Sequence, residues 1–511
     1  MTPQLPVEAP AALPKAKRRW WSLIALCLVT ALVWFAASDI AIALPTIAGE
    51  LGGTMDTLQW AVNGYFLAGA LIIVGGRVAD IYGRRLLFGI GTALILLGSV
   101  VAALASTPQL LIIGRVIQGI GAAAVLPTAL AIIAVIFSGK QRDAAIAIWI
   151  AVCWGAGAIG PLVGGVIVQG LDWQWIFWIN LPIGAVALLL TWWSTPETRD
   201  PRAVRSIDVP GVVTLVGGLF VLSWALVLFD TLATFAFAGM MAAAVLLLGG
   251  FVAIERRASN PVVNLEVFRM RRFDGAVLAN LIANFVFAGV VFFMALYLQV
   301  VADYDPLRAG IALLPATIPI LLVNPIGTWL GQRYGPAWPT ALGMACLAVA
   351  AFLLLDLTGG VAELLVPFGL IGVGLGLQIT PCAVAAVEDP GPAGEGAVSG
   401  VFKAASMVGS SLAVAVGTAV FQSDVRRQLE DVLGTPPTEL HGQVLDVLTG
   451  GLGLGEIADQ IPGDARQVVT DVFDAAVGLA MWPTIVMALV GIAAAIVLLR
   501  GGADPSGSTR R

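Results

Sequence analysis

Two opposite charges stand inside long apolar stretches. Asp39 lies six residues before Pro45 in the run 20–45, and Arg115 lies in the run 110–137. If both runs are helices that cross a membrane, the two side chains lie at a similar depth, roughly 8–9 Å below the same surface at 1.5 Å per residue. A lone arginine in lipid is costly, so we expect Arg115 to face the bundle interior and pair with Asp39. Opening the pair would let Asp39 bind a proton, as proton coupling requires; a purely structural ion pair is the alternative.

A second cluster is the segment 76–85, which reads GRVADIYGRR. Gly76 and Gly83 permit a tight, close-packed turn. Asp80 can meet a helix N-terminus and the guanidinium groups of Arg84 and Arg85. Such a cluster can hold one state of a two-state protein and act as a conformational switch. A plain basic loop is the alternative interpretation.

A third pattern combines glycines with one proline in the run 143–168. Its members are Gly155, Gly160, Pro161, Gly164 and Gly165. Small residues on one face let another helix approach closely, and the proline bends or loosens the helix. Ordinary packing of small residues explains the pattern equally well when it is taken alone.

The composition identifies the elements that must position these residues. The chain is 59% hydrophobic and 12% charged, with a mean hydropathy of +0.94, whereas a soluble domain carries about 25% charged residues. This favours an all-α integral membrane protein. The expected spans are 20–45, 57–79, 86–105, 110–137, 143–168, 175–194, 209–229, 232–254, 274–301, 308–330, 338–356, 361–387, 397–421 and 476–499.

Basic residues predict the orientation. With a cytoplasmic N-terminus, 22 of the 27 Lys and Arg fall in cytoplasmic segments, Lys403 among them, so both termini are expected inside. The expected domains are a cytoplasmic tail (1–19), a six-helix bundle (20–194), a two-helix insert with its cytoplasmic linkers (195–273), a second six-helix bundle (274–499) that contains an external loop (422–475), and a cytoplasmic tail (500–511).

Several functions are disfavoured by what the chain lacks. The single histidine, His441, lies in the acidic segment 422–475, and the four cysteines lie in apolar runs without metal-ligand spacing. A zinc site, a histidine-based catalytic triad and a phosphate-binding Gly-Lys loop are therefore not expected, and no cofactor is predicted. The segment 422–475 is interpreted as a solvated spacer or as an external cap.

These segments resemble the major facilitator superfamily, and within it the fourteen-helix drug:proton antiporters of the multidrug efflux type. The segment 76–85 is similar to the family loop G-x-L-A-D-x-x-G-R-[RK], with a weaker copy at 327–335. The segment 111–122 is similar to L-x-x-x-R-x-x-Q-G-x-G-A, and 160–165 to the antiporter motif G-P-x-x-G-G. The resemblance implies two six-helix bundles plus two extra helices, proton coupling through Asp39 and Arg115, and localisation in the cytoplasmic (inner) membrane.

The expected function is proton-coupled export of lipophilic small molecules or drugs, because the candidate cavity residues are mainly aromatic and amide side chains. The partners would be the substrate, protons and membrane lipid, with no nucleic acid, and the chain would be a monomer. An exporter or flippase for one endogenous lipid or metabolite, and a non-transporting sensor, remain alternatives; an intramembrane enzyme is disfavoured. The candidate substrate-binding residues are Trp34, Asn63, Trp149, Trp154, Asn280, Asn284, Phe285 and Gln378. For the asparagine and glutamine side chains among them, hydrogen bonding between helices is the alternative role.

Overall fold

The computed structural model describes residues 16–52, 55–199, 208–229, 234–258, 261, 263, 265–356, 361–387, 395–433 and 463–500. Within these ranges the regular structure is helical throughout. The α-helices are α1 Ala16–Ser38, α2 Ile40–Leu51, α3 Met55–Gly69, α4 Ile72–Tyr82, α5 Arg84–Ala103, α6 Pro108–Ile136, α7 Gly139–Gly170, α8 Trp175–Trp178, α9 Asn180–Ser194, α10 Val209–Val227, α11 Thr234–Glu255, α12 Arg271–Val300, α13 Pro306–Ala312, α14 Leu314–Tyr334, α15 Ala337–Leu353, α16 Leu365–Val387, α17 Glu395–Leu433 and α18 Gly463–Leu498.

The number of spans can be compared with the expected fourteen. In the described ranges, twelve helical segments are long and apolar enough to cross a membrane, and the pair α3–α4, bent by 43°, makes thirteen. The expected span 338–356 corresponds to α15, which has only 17 residues. Length and composition therefore support an all-helical membrane protein with twelve to thirteen long spans.

Helix boundaries differ from expectation at both ends of the chain. The expected first span 20–45 is interrupted at Asp39 and continues as α2 to Leu51. The expected external loop 422–475 is helical at both ends, since α17 continues to Leu433 and α18 begins at Gly463. Phe421 and Phe473, 5.2 Å apart between ring centroids, are buried against each other and extend the helix pair into the polar segment. Residues 434–462, with His441, lie outside the described ranges.

One hydrogen bond identifies each of the two ends of the first bundle. At the basic end, where α1 begins and α9 ends, the guanidinium of Arg18 donates to the carbonyl of Trp193. At the other end, here called the Glu50 end, the indole N–H of Trp173 donates to Glu50 Oε2 at 2.8 Å. Because the long helices run alternately up and down, the loop between α4 and α5 lies at the basic end and the start of α13 lies at the Glu50 end.

An internal repeat is visible in the packing of two helix pairs. Gly75 of α4 lies directly on the backbone of Ala123 in α6, and Gly327 of α14 lies in the same way on the backbone of Leu377 in α16. A Cβ at either glycine would overlap the facing carbonyl oxygen. Close contact of this kind requires glycine, and its recurrence indicates two related helical bundles.

The helices α10 and α11 form a separate hairpin between the two bundles in sequence. Asp208 caps α10 by accepting from the backbone N–H of Gly211 at 3.0 Å, and Gly218 packs on Leu248 of α11. The hairpin contacts α3 through Phe220 and Trp60, whose ring centroids are 5.6 Å apart. Most of its apolar side chains are exposed or only partly buried, as suits a helix pair that faces lipid.

Candidate functional site

Arg115 is the most deeply buried charge of the first bundle, with 0% of its surface exposed. Its Nε donates to the carbonyl of Ala61 at 2.8 Å, and its Nη2 donates to the carbonyl of Ala36 at 2.6 Å. Its guanidinium carbon lies 4.4 Å from the centroid of the Tyr65 ring. The side chain thus ties α6 to α1 and α3 through backbone oxygens and an aromatic face.

A chain of neutral side chains completes the coordination of Arg115. Its Nη1 donates to Gln118 Oε1 at 2.8 Å, and Gln118 Nε2 donates to Ser99 Oγ at 2.8 Å. Asn180 of α9 also donates to Ser99, at 3.1 Å. Gln118, Ser99 and Asn180 were not among the expected site residues, although Gln118 stands within the segment 111–122 that resembles a family motif.

Asp39 lies at the interruption between α1 and α2 and is 7% exposed. Its backbone keeps helical angles, but Ile42 donates to its carbonyl at 3.2 Å, in an i to i+3 bond that tightens the turn. Pro45 removes a further helical hydrogen bond one turn later. The Oδ1 atom of Asp39 is buried and has no hydrogen-bond partner among the residues that the structure describes. The predicted ion pair with Arg115 is not formed here, because backbone carbonyls and Gln118 take the guanidinium donors.

The glycines of α7 pack against this interruption. A Cβ at Gly160 would overlap the Ser38 hydroxyl, and one at Gly164 would lie 3.0 Å from the carbonyl oxygen of Asp39. Gly155, by contrast, has no atom within 4 Å of the place a Cβ would take. Two glycines of the predicted antiporter motif therefore hold α7 directly on Asp39, and Gly155 does not take part.

Helix α7 also contacts the second bundle at the Glu50 end. A Cβ at Gly165 would overlap the carbonyl of Pro306 at the start of α13. In return, a Cβ at Gly310 of α13 would lie 2.5 Å from the carbonyl of Pro161. This reciprocal contact closes the two bundles against each other at the Glu50 end.

The loop between α4 and α5 is held by charge. Arg84 Nη2 lies 2.9 Å from Asp80 Oδ1, so the predicted contact of Asp80 with a guanidinium is present. Gly83 has a φ of +122°, which side chains rarely adopt. Gly76 packs on Pro127 of α6, 3.6 Å from where its Cβ would stand. Asp80 does not cap the N-terminus of α5.

That N-terminus is capped by Glu197, which lies just after α9. Its Oε1 and Oε2 accept from the backbone N–H groups of Arg85 and Leu86 at 3.0 and 3.1 Å. The Arg85 side chain donates to the carbonyl of Thr195 at 3.1 Å and stacks on Trp192. The loop is thus fastened to the linker that leads to the α10–α11 hairpin. Sequence reasoning missed Glu197 because it stands more than 100 residues away.

Replacing Gly83 with alanine is expected to lower the melting temperature more than Gly335→Ala does. Both glycines have positive φ, so each variant pays a backbone strain of roughly 1–3 kcal/mol. Only at Gly83 would the new Cβ also meet Glu197, 2.7 Å from its carboxyl carbon, and disturb a cap worth about 1 kcal/mol. Thermal unfolding of the two purified variants checks this, and equal losses would contradict it.

A central cavity lies between the two bundles. Trp34, Ser38 and Trp154 line it from the first bundle, and Asn284 and Ser410 from the second. Its volume of about 60 Å³ holds a few water molecules and is far below the roughly 300–1,000 Å³ of sites that bury drug-sized ligands. The bundles must therefore move apart before a larger molecule can enter.

The other expected substrate-binding residues lie outside the cavity wall. Trp149 donates to Thr30 at 2.9 Å, and Asn280 donates to Ser406 at 2.7 Å, so both join helices. Phe285 and Gln378 are buried but not part of the lining. Asn63 neighbours the lining residue Val62, and its side-chain amide nitrogen and oxygen are both buried without a hydrogen-bond partner among the described residues.

Lys403 was expected in a cytoplasmic segment, but the structure places it inside α17, facing the first bundle. Its Nζ lies 5.7 Å from the ring centroid of Trp34 and 6.0 Å from that of Trp154. These two rings stack on each other, with centroids 5.7 Å apart. Sequence reasoning counted Lys403 among the cytoplasmic charges because it stands near a helix end.

Comparisons with known proteins agree with this architecture. The sequence profile described as Major Facilitator Superfamily matches residues 26–414. The chain is 30% identical to the tetracenomycin C resistance and export protein of Streptomyces glaucescens, covering 96% of this chain and 93% of that protein. It is 32% identical to the puromycin resistance protein pur8 of Streptomyces alboniger (86% and 89% covered) and 31% identical to the quinolone resistance protein NorB of Staphylococcus aureus (78% and 88%).

Solved structures support the fold. A bacterial homolog of the human lysosomal transporter Spinster, in an inward-facing and unoccupied conformation, aligns with a TM-score of 0.68 at 17% identity, covering 95% of this chain and 98% of that one. A peptide transporter, POT, aligns with a TM-score of 0.61 at 14% identity, covering 94% and 95%.

Proposed function

Because the chain belongs to the Major Facilitator Superfamily, and is therefore a transporter and not an enzyme, we propose that it exports lipophilic drugs or similar small molecules in exchange for protons. The proposal includes fourteen spans with both termini in the cytoplasm, with α15 and the bent pair α3–α4 each counted as one span. It also includes the cytoplasmic membrane as location and a monomer as the working unit.

The observation that carries the proton-coupled part is the environment of Asp39. Its carboxylate is buried at a helix interruption, and Oδ1 has no hydrogen-bond partner in the part of the chain that the structure describes. The neighbouring residue Ser38 lines the central cavity, and Gly164 holds α7 on the Asp39 backbone. A carboxylate buried beside the cavity responds to the opening of that cavity, so its protonation can be coupled to opening.

Drug export is supported by the relatives, which are named for resistance to or export of antibiotics. The mostly apolar and aromatic lining of the cavity suits lipophilic substrates. Two of these relatives are named for one compound each, which favours the alternative of an exporter dedicated to one compound. A competition panel of unrelated lipophilic compounds separates the two: only a multidrug exporter is inhibited by many of them.

Purified protein in liposomes with an imposed pH gradient tests the proposal. We expect gradient-driven movement of a lipophilic dye, and its loss in Asp39→Asn. Asp305→Asn is the matched control, because Asp305 only caps α13 and pairs with Arg308, and asparagine also caps helices. Dye transport by wild type that does not depend on the pH gradient would contradict the antiport mechanism. Gradient-driven transport retained in Asp39→Asn would show that the proton binds at another residue.

A further inference from the structure

The central cavity has a cationic boundary on the side of the basic end. Trp34 precedes Ser38 along α1 by one turn, and Trp154 precedes Gly157 along α7, so both rings lie at that side of the lining. Lys403 precedes the lining residue Ser410 by seven positions, two helical turns along the same face of α17. Trp34, Trp154 and Lys403 are here called the Lys403 cluster.

Lys403 has aromatic rings where a carboxylate would be expected. Among the residues that the structure describes, no carboxylate lies within ion-pair distance of its ammonium, which instead lies near the two stacked indole rings. A lysine inside a membrane helix normally pairs with an acid or marks a substrate path. The aromatic faces attract the cation weakly and leave its hydrogen-bond donors available.

The charges around the cavity also do not cancel. Asp39 contributes one negative charge, and Arg115 and Lys403 contribute two positive ones. Each guanidinium nitrogen of Arg115 already donates to Gln118 or to a backbone carbonyl, whereas Lys403 makes no hydrogen bond to the residues that the structure describes. In a site with little water, an incoming anion is attracted to such an imbalance and an incoming cation is repelled.

We propose that Lys403 determines the charge preference of the transporter, by binding the acidic group of an amphipathic aromatic substrate while the Trp34–Trp154 pair stacks on its ring system. Lipophilic cations are disfavoured, because the Lys403 ammonium beside the two indole rings repels a second positive charge. The preferred substrates are therefore aromatic carboxylates, phenolates or sulfonates. This inference rests on the proposed export function and adds the substrate class.

Binding of two related dyes to purified full-length protein tests the inference. Fluorescein is anionic and tetramethylrhodamine ethyl ester is cationic, and both have the same xanthene ring system. We expect wild type to bind fluorescein more tightly. In Lys403→Met the Kd for fluorescein should rise about tenfold or more, as the loss of a charge-assisted hydrogen bond predicts, and the Kd for the rhodamine ester should fall.

Two variants serve as controls. Lys403→Arg should keep the preference for the anion, and Lys17→Met, which removes the same charge from an exposed position of α1, should bind both dyes as wild type does. A wild type that prefers the cation, or an unchanged ratio of the two Kd values in Lys403→Met, would overturn the inference. If Lys403→Met fails to fold, the relative Kd values of wild type and Lys403→Arg for the anionic and the cationic dye still test the inference. Transport in liposomes tests the proposed export function separately. If no transport is seen there, the binding result still tests the role of Lys403.

Discussion

Replacing Arg115 with methionine is expected to destabilise the first bundle by roughly 3–5 kcal/mol, the usual cost of removing one partner from a buried set of charges. The variant loses three hydrogen bonds, to Ala36, Ala61 and Gln118, and leaves the Asp39 carboxylate buried without the nearby guanidinium. Thermal unfolding of purified protein measures the loss. Arg333→Met is the matched control, because Arg333 is exposed and stacks only on rings of its own helix.

A double-mutant cycle separates charge from packing. If Asp39 and Arg115 interact mainly through their charges, Asp39→Asn should cost more in wild type than in Arg115→Met, and the double variant should recover part of the lost stability. Strictly additive losses would show that Arg115 acts only as a tie between helices. Arg115→Lys keeps the charge but cannot reach all three acceptors in the same geometry, so we expect it to fold and to transport poorly.

Replacing Gly165 with valine is expected to open the Glu50 end. The new side chain would overlap the carbonyl of Pro306, so the closed contact between α7 and α13 becomes strained. Overpacking of this kind costs about 1–3 kcal/mol, which shifts a two-state equilibrium by roughly 5- to 150-fold. Transport should fall because both bundles must close at this end in each cycle.

Distances between spin labels measure that shift. Leu171 and Ile311 are exposed positions near the contact, one after α7 and one in α13, and can carry labels on a background without the four native cysteines. We expect a longer distance in Gly165→Val than in wild type. Gly155→Val is the control, because no atom lies within 4 Å of its added Cβ. The same distance distribution in Gly165→Val and wild type would contradict the proposed closure.

The sequence alone determined the class of protein and most of its helices. Apolar runs of about 20 residues with few charges have no stable place outside a membrane, so composition and length predict helical spans directly. The sequence also predicts close helix packing at glycines 160, 164 and 165. A residue without a side chain permits backbone contact, whichever helix supplies the partner. The family motifs added the expected function, because they are local and can be matched without knowing any contact.

Only the tertiary structure decided which side chains meet. The acceptors of Arg115 are carbonyls at Ala36 and Ala61, and every residue has a carbonyl, so no sequence signal marks them. Glu197 reaches the N-terminus of α5 from beyond α9, and Lys403 reaches Trp34 from the second bundle. Composition and residue spacing determine whether a single helix forms and which of its faces carries small residues. The choice of partners depends on how separate helices pack, and that is fixed only in the folded protein, within the first bundle for Arg115 and between the two bundles for Lys403.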